Sequence, residues 1–134
     1  MLSDAGPANL GGSDELDPGI ARAGIELFRQ LPATARRQVL LCTDLHPGNV
    51  LAATREPWLV IDPKPYVGDP AYDVLQHMLN HPDRLAADPV AFVRRMAGLA
   101  GLDADRVGLR LFAPCVQESL GPMHVPGVIE RLAP

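Results

Sequence analysis

The apolar residues in the middle of the chain come in three short runs, separated by residues typical of turns. The runs cover residues 39–41, 50–53 and 58–61. Short apolar runs bounded by Pro, Gly and Asn predict β-strands that are joined by tight loops. Residues 55–57, which read R-E-P, would form the hairpin turn between the second and the third strand.

Four longer segments have apolar residues at the spacing of an α-helix, and each begins at an aspartate. Proline follows Asp17, Asp69 and Asp88, and Asp103 begins the fourth segment. An aspartate here accepts hydrogen bonds from first-turn amides, and proline suits the first helical position. The first helix is expected to end at Pro32. The apolar stripes are Ile20, Ala23, Gly24, Leu27 and Leu31; Tyr72, Leu75, Met78 and Leu79; Val90, Val93, Ala97 and Ala100; and Val107, Leu111 and Val116.

This pattern divides the 134 residues into three parts. Residues 1–17 carry Gly, Asp, Ser and Pro without a sustained period, which predicts a flexible arm. Residues 18–120 hold the predicted strands and helices, and residues 121–134 form a tail rich in Pro and Gly. The length is that of one ordinary domain. The predicted fold class is α+β, mostly helical, with a small β ribbon.

Charge and hydropathy narrow the class of partner. The net charge of −4 argues against nucleic acid, because phosphate backbones select basic surfaces. No apolar run approaches the roughly 18 residues that span a bilayer, and the N-terminus lacks the pattern of a signal peptide. We therefore expect a cytoplasmic protein with no membrane partner. Cys42 and Cys115 belong to no C-x-x-C motif and are predicted to be buried structural thiols.

Three oxygen-bearing side chains lie at the ends of the predicted strands. Asp44 and Asn49 belong to the run T-D-L-H-P-G-N, and Asp62 follows the third strand. Such a set suits Mg²⁺ and phosphate, because Mg²⁺ takes few protein oxygens and leaves its other positions to water and phosphate. In phosphoryl transfer, Asp44 would orient or deprotonate the attacking hydroxyl. Asn49 and Asp62 would hold the metal against the nucleotide phosphates.

The motifs around these residues resemble the C-terminal lobe of the aminoglycoside phosphotransferases. They read D-L-H-P-G-N-V-L over residues 44–51, I-D-P over residues 61–63 and G-D-P-A-Y-D over residues 68–73. The run E-P-W-L-V-I-D-P-K-P over residues 56–65 is most similar to the streptomycin and hydroxyurea kinase branch. The matching motifs extend from about residue 40 to residue 73, with weaker helical similarity to about residue 120.

The resemblance implies a protein-kinase-like fold in which the small β ribbon carries the catalytic loop. It implies Mg²⁺- and ATP-dependent phosphorylation of a hydroxyl on an aminoglycoside-like small molecule, as in antibiotic-resistance kinases. Asp44 then matches the catalytic base, and Asn49 and Asp62 match the ligands of the metal and its nucleotide. Asp73 matches a buried aspartate that accepts hydrogen bonds from the backbone of the catalytic loop, which is a structural role.

The chain departs from the family pattern in two ways. The family has His-Gly before the catalytic aspartate, and here Cys42 and Thr43 occupy those positions, so we expect altered loop packing and intact chemistry. No segment matches the N-terminal lobe with its Gly-rich loop, strand lysine and helix glutamate. We therefore expect a C-terminal lobe alone, from a truncated or split protein. A face left bare by the absent lobe would favour self-association.

Other interpretations stay open at this point. The chain could be a non-catalytic remnant of a kinase lobe that binds a partner or a small molecule but transfers nothing. It could also be a metal-dependent hydrolase that uses Asp44, His46 and Asp62. Lys64 could touch a phosphate or be a solvated loop residue. The remaining polar residues of note are Asp69, expected to be a helix cap, and His77 and His81, expected to be a surface pair.

Overall fold

The described chain is mostly helical, with four short strands near its middle, so the predicted α+β class is confirmed. The computed structural model describes residues 16–119, 121 and 124–134. The predicted flexible arm, apart from residues 16 and 17, lies outside the described residues. In chain order the elements are α1 (Pro18–Ala33), β1 (Val39–Leu41), β2 (Val50–Ala52), β3 (Trp58–Val60), β4 (Tyr66–Gly68), α2 (Asp73–Leu79), α3 (Pro82–Ala87), α4 (Pro89–Ala100), α5 (Ala104–Gln117) and α6 (Val128–Leu132).

Three of the four predicted aspartate caps are confirmed. The carboxylates of Asp17, Asp88 and Asp103 accept backbone hydrogen bonds in the first turns of α1, α4 and α5. Asp69 accepts from the amide of Ala71 at 3.0 Å, but it opens a 3₁₀ turn that precedes α2 and does not cap α2 itself. The predicted end of α1 at Pro32 is one residue early, a difference that is ordinary for helix ends.

The strands form two separate antiparallel pairs, β1 with β4 and β2 with β3. The predicted hairpin is confirmed, although each of its strands is one residue shorter than predicted. Residues 66–68 belong to none of the three predicted strands, but they pair with β1 in the register Val39–Gly68 and Leu41–Tyr66. The pairing supplies backbone hydrogen bonds from a segment that is distant in sequence, which local composition does not reveal.

Two helices were not predicted. The six-residue helix α3 begins at Pro82. The helix α6 lies within the predicted Pro- and Gly-rich tail, and its Val128 and Ile129 are buried. Both helices are short, so neither offers enough turns for a periodic pattern to be recognised.

The core lies where α2, α3, α4, α5 and α6 meet, and α1 packs across α5. At Gly24 the two helices approach so closely that an added Cβ would lie 2.7 Å from Cγ1 of Val116. No described helix has the length and apolarity that crossing a bilayer requires. The fully or nearly buried core side chains are Ala71, Leu75, Met78, Leu85, Phe92, Val93, Ala97, Val107, Leu111 and Val128.

A buried ion cluster joins three of these elements. The Asp69 side chain is 3% exposed, and its carboxylate contacts the guanidinium of Arg106 at 2.6 Å and that of Arg110 at 3.1 Å. Arg106 also donates to the carbonyl of Leu31 at 2.6 Å and to the hydroxyl of Thr34 at 3.2 Å. The cluster therefore fixes the start of the α2 region against α5 and the end of α1.

The charge state of Asp69 follows from these contacts. Burial by itself raises the pKa of this carboxyl, because desolvation disfavours the charged form. Hydrogen bonds from the Ala71 amide and from the Arg106 and Arg110 guanidiniums outweigh burial, and the pKa of Asp69 lies below its usual value. Asp69 is therefore ionised at neutral pH.

Candidate active site

The loop between β1 and β2 is hydrogen-bonded to Asp73, the first residue of α2. The carboxylate of Asp73 accepts hydrogen bonds from the backbone amides of Cys42 and Thr43, both at 2.9 Å. A carboxylate that accepts two amides satisfies donors that the turn leaves without a strand partner. Asp73 thus connects the helical core to the two residues that precede Asp44.

Replacing Asp73 with alanine should lower the free energy of unfolding by about 2–4 kcal/mol. Two partly buried amides would lose their acceptor, and each unsatisfied donor costs about 1–3 kcal/mol. Urea unfolding followed by circular dichroism measures the change. Glu56→Ala, in the exposed β2–β3 turn, is the matched control and should change stability by less than about 0.5 kcal/mol. Equal midpoints for the two variants would rule out the anchoring role.

Two non-glycine residues of the site have left-handed backbone, Thr43 with φ 56° and Asp62 with φ 50°. This conformation is uncommon for β-branched residues such as threonine. The hydroxyl of Thr43 donates to the carbonyl of Lys64. The threonine side chain thus bonds the loop to the segment that follows β3.

Asp44 is half-buried and lies between two basic side chains. The ammonium of Lys64 is 3.2 Å from one carboxylate oxygen, and Nε2 of His46 is 3.8 Å from the other. Nδ1 of His46 accepts from the amide of Gly48 at 3.1 Å, so neutral His46 carries its proton on Nε2, the atom that faces Asp44. The side-chain amide of Asn49 donates to the backbone carbonyl of Asp44 at 2.9 Å.

Asp62 lies in a segment that is bonded to both ends of the same loop. On one side, the amide of Ile61 donates to the carbonyl of Asn49 at 2.9 Å. On the other, the amide of Lys64 donates to the carbonyl of Cys42 at 3.0 Å. The structure therefore brings the Asp62 backbone alongside the loop that carries Asp44 and Asn49, with Asp62 itself exposed to solvent.

The amide of Asn49 and the carboxylate of Asp62 have the chemistry of a magnesium site. The amide nitrogen of Asn49 is committed to Asp44, so its oxygen is the atom available to a cation. Residues 16–119, 121 and 124–134 contain no group of three or more His, Cys, Asp or Glu that could hold a metal ion. Asp44, His46 and Asp62 thus do not form the ligand set that the hydrolase interpretation needs.

A cavity of about 530 Å³ lies beside the loop. It is mostly apolar, and Leu45, Pro47, Trp58 and Met96 are among its lining residues. His77 also lines it, so the predicted surface pair is wrong in part: His77 and its neighbour four residues on are half-buried, with ring centroids 4.7 Å apart. Burial, and then the nearby His and Arg side chains, hold the pKa of His77 below its usual value.

The two thiols are only partly buried, contrary to the prediction of buried residues. Burial and then the charge of Asp73 raise the pKa of the Cys42 thiol, and burial raises the pKa of Cys115 to about 11. Both thiols are therefore protonated at neutral pH, which agrees with a structural role because only the thiolate is a good nucleophile.

Sequence comparisons place the site in a known group of proteins. The family model described as aminoglycoside/hydroxyurea antibiotic resistance kinase matches residues 15–115. A hydroxyurea phosphotransferase of Kitasatospora aureofaciens is 35% identical over 127 residues, which is 89% of this chain and 36% of that protein.

Two streptomycin 6-kinases are also similar. That of Streptomyces glaucescens is 41% identical over 87 residues, covering 60% of this chain and 28% of the kinase. That of Streptomyces griseus is 48% identical over 67 residues, covering 47% of this chain and 22% of the kinase. The chain therefore spans between about a fifth and about a third of the length of these relatives.

No solved structure gives a significant match to the chain. The family match nevertheless extends over most of the described residues and includes Asp44, Asn49, Asp62 and Asp73. With the predicted resemblance confirmed by the family model and by three relatives, the chain belongs to the aminoglycoside/hydroxyurea antibiotic resistance kinase family.

Proposed function

We propose that the chain is the protein-kinase-like C-terminal lobe of a small-molecule kinase, which transfers the γ-phosphoryl group of ATP to a hydroxyl of an aminoglycoside-like acceptor. The observation that carries the proposal is the bonding of two segments around Asp44. Asn49 bonds to the Asp44 carbonyl, and the segment of Asp62 bonds to Cys42 and Asn49 at the two ends of the loop. Phosphoryl transfer depends mainly on such positioning.

In this proposal Asp44 is the group that receives the proton of the acceptor hydroxyl. The hydroxyl oxygen forms its bond to the γ-phosphorus while the bond from that phosphorus to the bridging oxygen breaks, and ADP leaves with the electron pair. The proton passes to a carboxylate oxygen of Asp44. The Asn49 side chain keeps the backbone of Asp44 in place through its 2.9 Å hydrogen bond.

Asn49 and Asp62 would hold magnesium through the amide oxygen and the carboxylate. When bound, the ion would neutralise charge on the β- and γ-phosphates. The backbone near Asp62 is fixed by three hydrogen bonds, although Asp62 itself has a left-handed conformation. The amides of Ile61 and Lys64 donate two of them, and the hydroxyl of Thr43 donates the third to the carbonyl of Lys64. This preorganisation suits a ligand whose position must be accurate.

The named relatives suggest the class of acceptor. Their names give streptomycin or hydroxyurea as the molecule that each phosphorylates. The net charge of −4 supports a cationic acceptor over an anionic one, because a negative surface attracts cationic small molecules. We therefore place streptomycin first among the acceptors to be tested and hydroxyurea second.

The direct test is a titration of the chain with Mg-ATP, in which binding is measured by isothermal calorimetry and by the fluorescence of Trp58. Trp58 is the single tryptophan, and it lines the cavity beside the catalytic loop. Saturable binding, followed by transfer of ³²P from ATP to streptomycin or hydroxyurea, is the expected result. No heat and no fluorescence change at millimolar nucleotide would instead favour a non-catalytic lobe that transfers nothing.

Asp62→Asn should weaken Mg-ATP binding by roughly 10–100-fold, because a charge-assisted contact contributes about 1.5–3 kcal/mol. Asparagine tolerates the left-handed backbone, so the loop should keep its shape. The same Trp58 titration measures the affinity, and Glu56→Ala is the exposed control that also removes one negative charge. Unchanged affinity in Asp62→Asn would remove Asp62 from the set of metal ligands.

A further inference from the structure

Lys64 is the only lysine in the sequence, and all other permanently cationic side chains are arginines. It lies two residues after Asp62, between Pro63 and Pro65. Proline fixes its own φ and also restricts the residue before it. The segment that carries this lysine is therefore conformationally restricted at four successive positions, residues 62–65.

The backbone of Lys64 is bonded to the residues immediately before Asp44. Its amide donates to the carbonyl of Cys42 at 3.0 Å, and its carbonyl accepts from the hydroxyl of Thr43. Cys42 and Thr43 are in turn the two residues whose amides bond to Asp73. A single network thus sets the distance between the Cα atoms of Lys64 and Asp44, which are 20 residues apart in sequence.

The ammonium of Lys64 is 3.2 Å from a carboxylate oxygen of Asp44, with side-chain exposures of 64% and 30%. An exposed ion pair adds little to stability, since water screens it and two side chains lose freedom. Fold stability therefore does not account for the ion pair between Lys64 and Asp44. A lysine ammonium has three donors, and the contact with Asp44 uses one of them.

The charges of the site indicate which kind of ligand the two remaining ammonium donors of Lys64 would bind. Asp44 and Asp62 are both carboxylates, and a triphosphate brought to them would be repelled unless cations are present. Lys64 supplies a compact positive charge directly beside Asp44, the residue to which the transferred group must come close. Lysine is a common phosphate ligand because it acts as a point charge with rotatable donors.

We propose that Lys64 is a catalytic residue that binds the γ-phosphoryl group during its transfer and at the same time holds Asp44 in position. This inference rests on the proposed function. Lys64 keeps its protons throughout: the acceptor oxygen bonds to phosphorus, the bond to the bridging oxygen breaks, and Asp44 takes the hydroxyl proton. The ammonium stabilises the charge on the equatorial oxygens of the group in transit.

The test compares Mg-ATP with Mg-ADP in wild-type protein, Lys64→Met, Lys64→Arg and Arg55→Met, using Trp58 fluorescence. If Lys64 binds the γ-phosphoryl group, Lys64→Met weakens Mg-ATP binding by about 10-fold or more and changes Mg-ADP binding by less than about twofold. Lys64→Arg should restore part of the Mg-ATP affinity. Arg55→Met removes an exposed positive charge from the β2–β3 turn and should leave both affinities unchanged.

A second readout needs no variant. Because the chain has one lysine, protein labelled with ¹³C-lysine gives a single ε-methylene NMR signal. Mg-ATP should shift this signal, and Mg-ADP should shift it much less. Equal shifts with both nucleotides, or an equal loss of both affinities in Lys64→Met, would overturn the role of Lys64 and leave the kinase proposal standing. Wild-type protein that binds neither nucleotide would overturn both proposals.

Discussion

With alanine in place of Asp44, phosphoryl transfer should become slower by roughly 10²–10⁴-fold, the usual contribution of a positioned general base. Mg-ATP affinity should remain within about threefold, because the metal ligands are assigned to Asn49 and Asp62. Transfer of ³²P to streptomycin gives the rate, and the Trp58 titration gives the affinity. The two measurements together separate a defect in chemistry from a defect in nucleotide binding.

Asp44→Asn is the informative companion, because it keeps the shape of the side chain but cannot accept the hydroxyl proton. Its rate of phosphoryl transfer should be lowered to a similar degree. The fold should survive both changes, since Asp44 is only half-buried and its pair with Lys64 is exposed. Turnover equal to that of the wild type in either variant would show that another group takes the proton.

The largest expected loss of stability comes from Asp69→Ala, at about 3–5 kcal/mol. Removing one partner of a buried ion pair leaves the other charges uncompensated, and the guanidiniums of Arg106 and Arg110 are mostly buried in this cluster. Urea denaturation measures the loss. A midpoint that matches the Glu56→Ala control would mean that the arginines find other partners or water, and that the cluster does not hold the elements together.

The same cluster predicts a pH dependence with a definite sign. The pKa of Asp69 is lower in the folded chain than its usual value, so the folded state binds fewer protons at this carboxyl than the unfolded state. The contribution of ionised Asp69 to the free energy of unfolding is complete above a pH of about 4, the usual carboxyl pKa. It is lost as the pH falls through the lower pKa that Asp69 has in the folded chain. In Asp69→Asn, which has no titrating group there, this part of the acid-induced loss should be absent.

Local chemistry was enough to predict where three of the six described helices start. Asp17, Asp88 and Asp103 cap their helices because the carboxylate and the first-turn amides are neighbours in sequence. The hairpin of β2 and β3 was predictable for the same reason, since its two strands are joined by one short turn. Elements that depend on distant partners were not predictable. β4 exists because β1 pairs with it, and α6 because the core covers Val128.

The candidate site shows the same division. The spacing of Asp44 and Asn49, and the position of Asp62 after a strand, were evident from the sequence. The ion pair between Asp44 and Lys64 was not, although two signals were available: Lys64 is the sole lysine, and it stands between prolines. The arginines that neutralise Asp69 lie 37 and 41 residues away from it, so no local pattern connects them.

The left-handed conformation of Thr43 has a consequence for work with parts of this protein. Its backbone shape is imposed by Asp73, from α2, and by the segment of Lys64, beyond the β2–β3 hairpin. A synthetic peptide that covers residues 39–52 contains neither partner, and its threonine would relax to the extended or right-handed conformations that threonine prefers. Antibodies raised against such a peptide would therefore recognise a different surface from the one in the folded chain, and a graft of this loop onto another scaffold must also carry both partners.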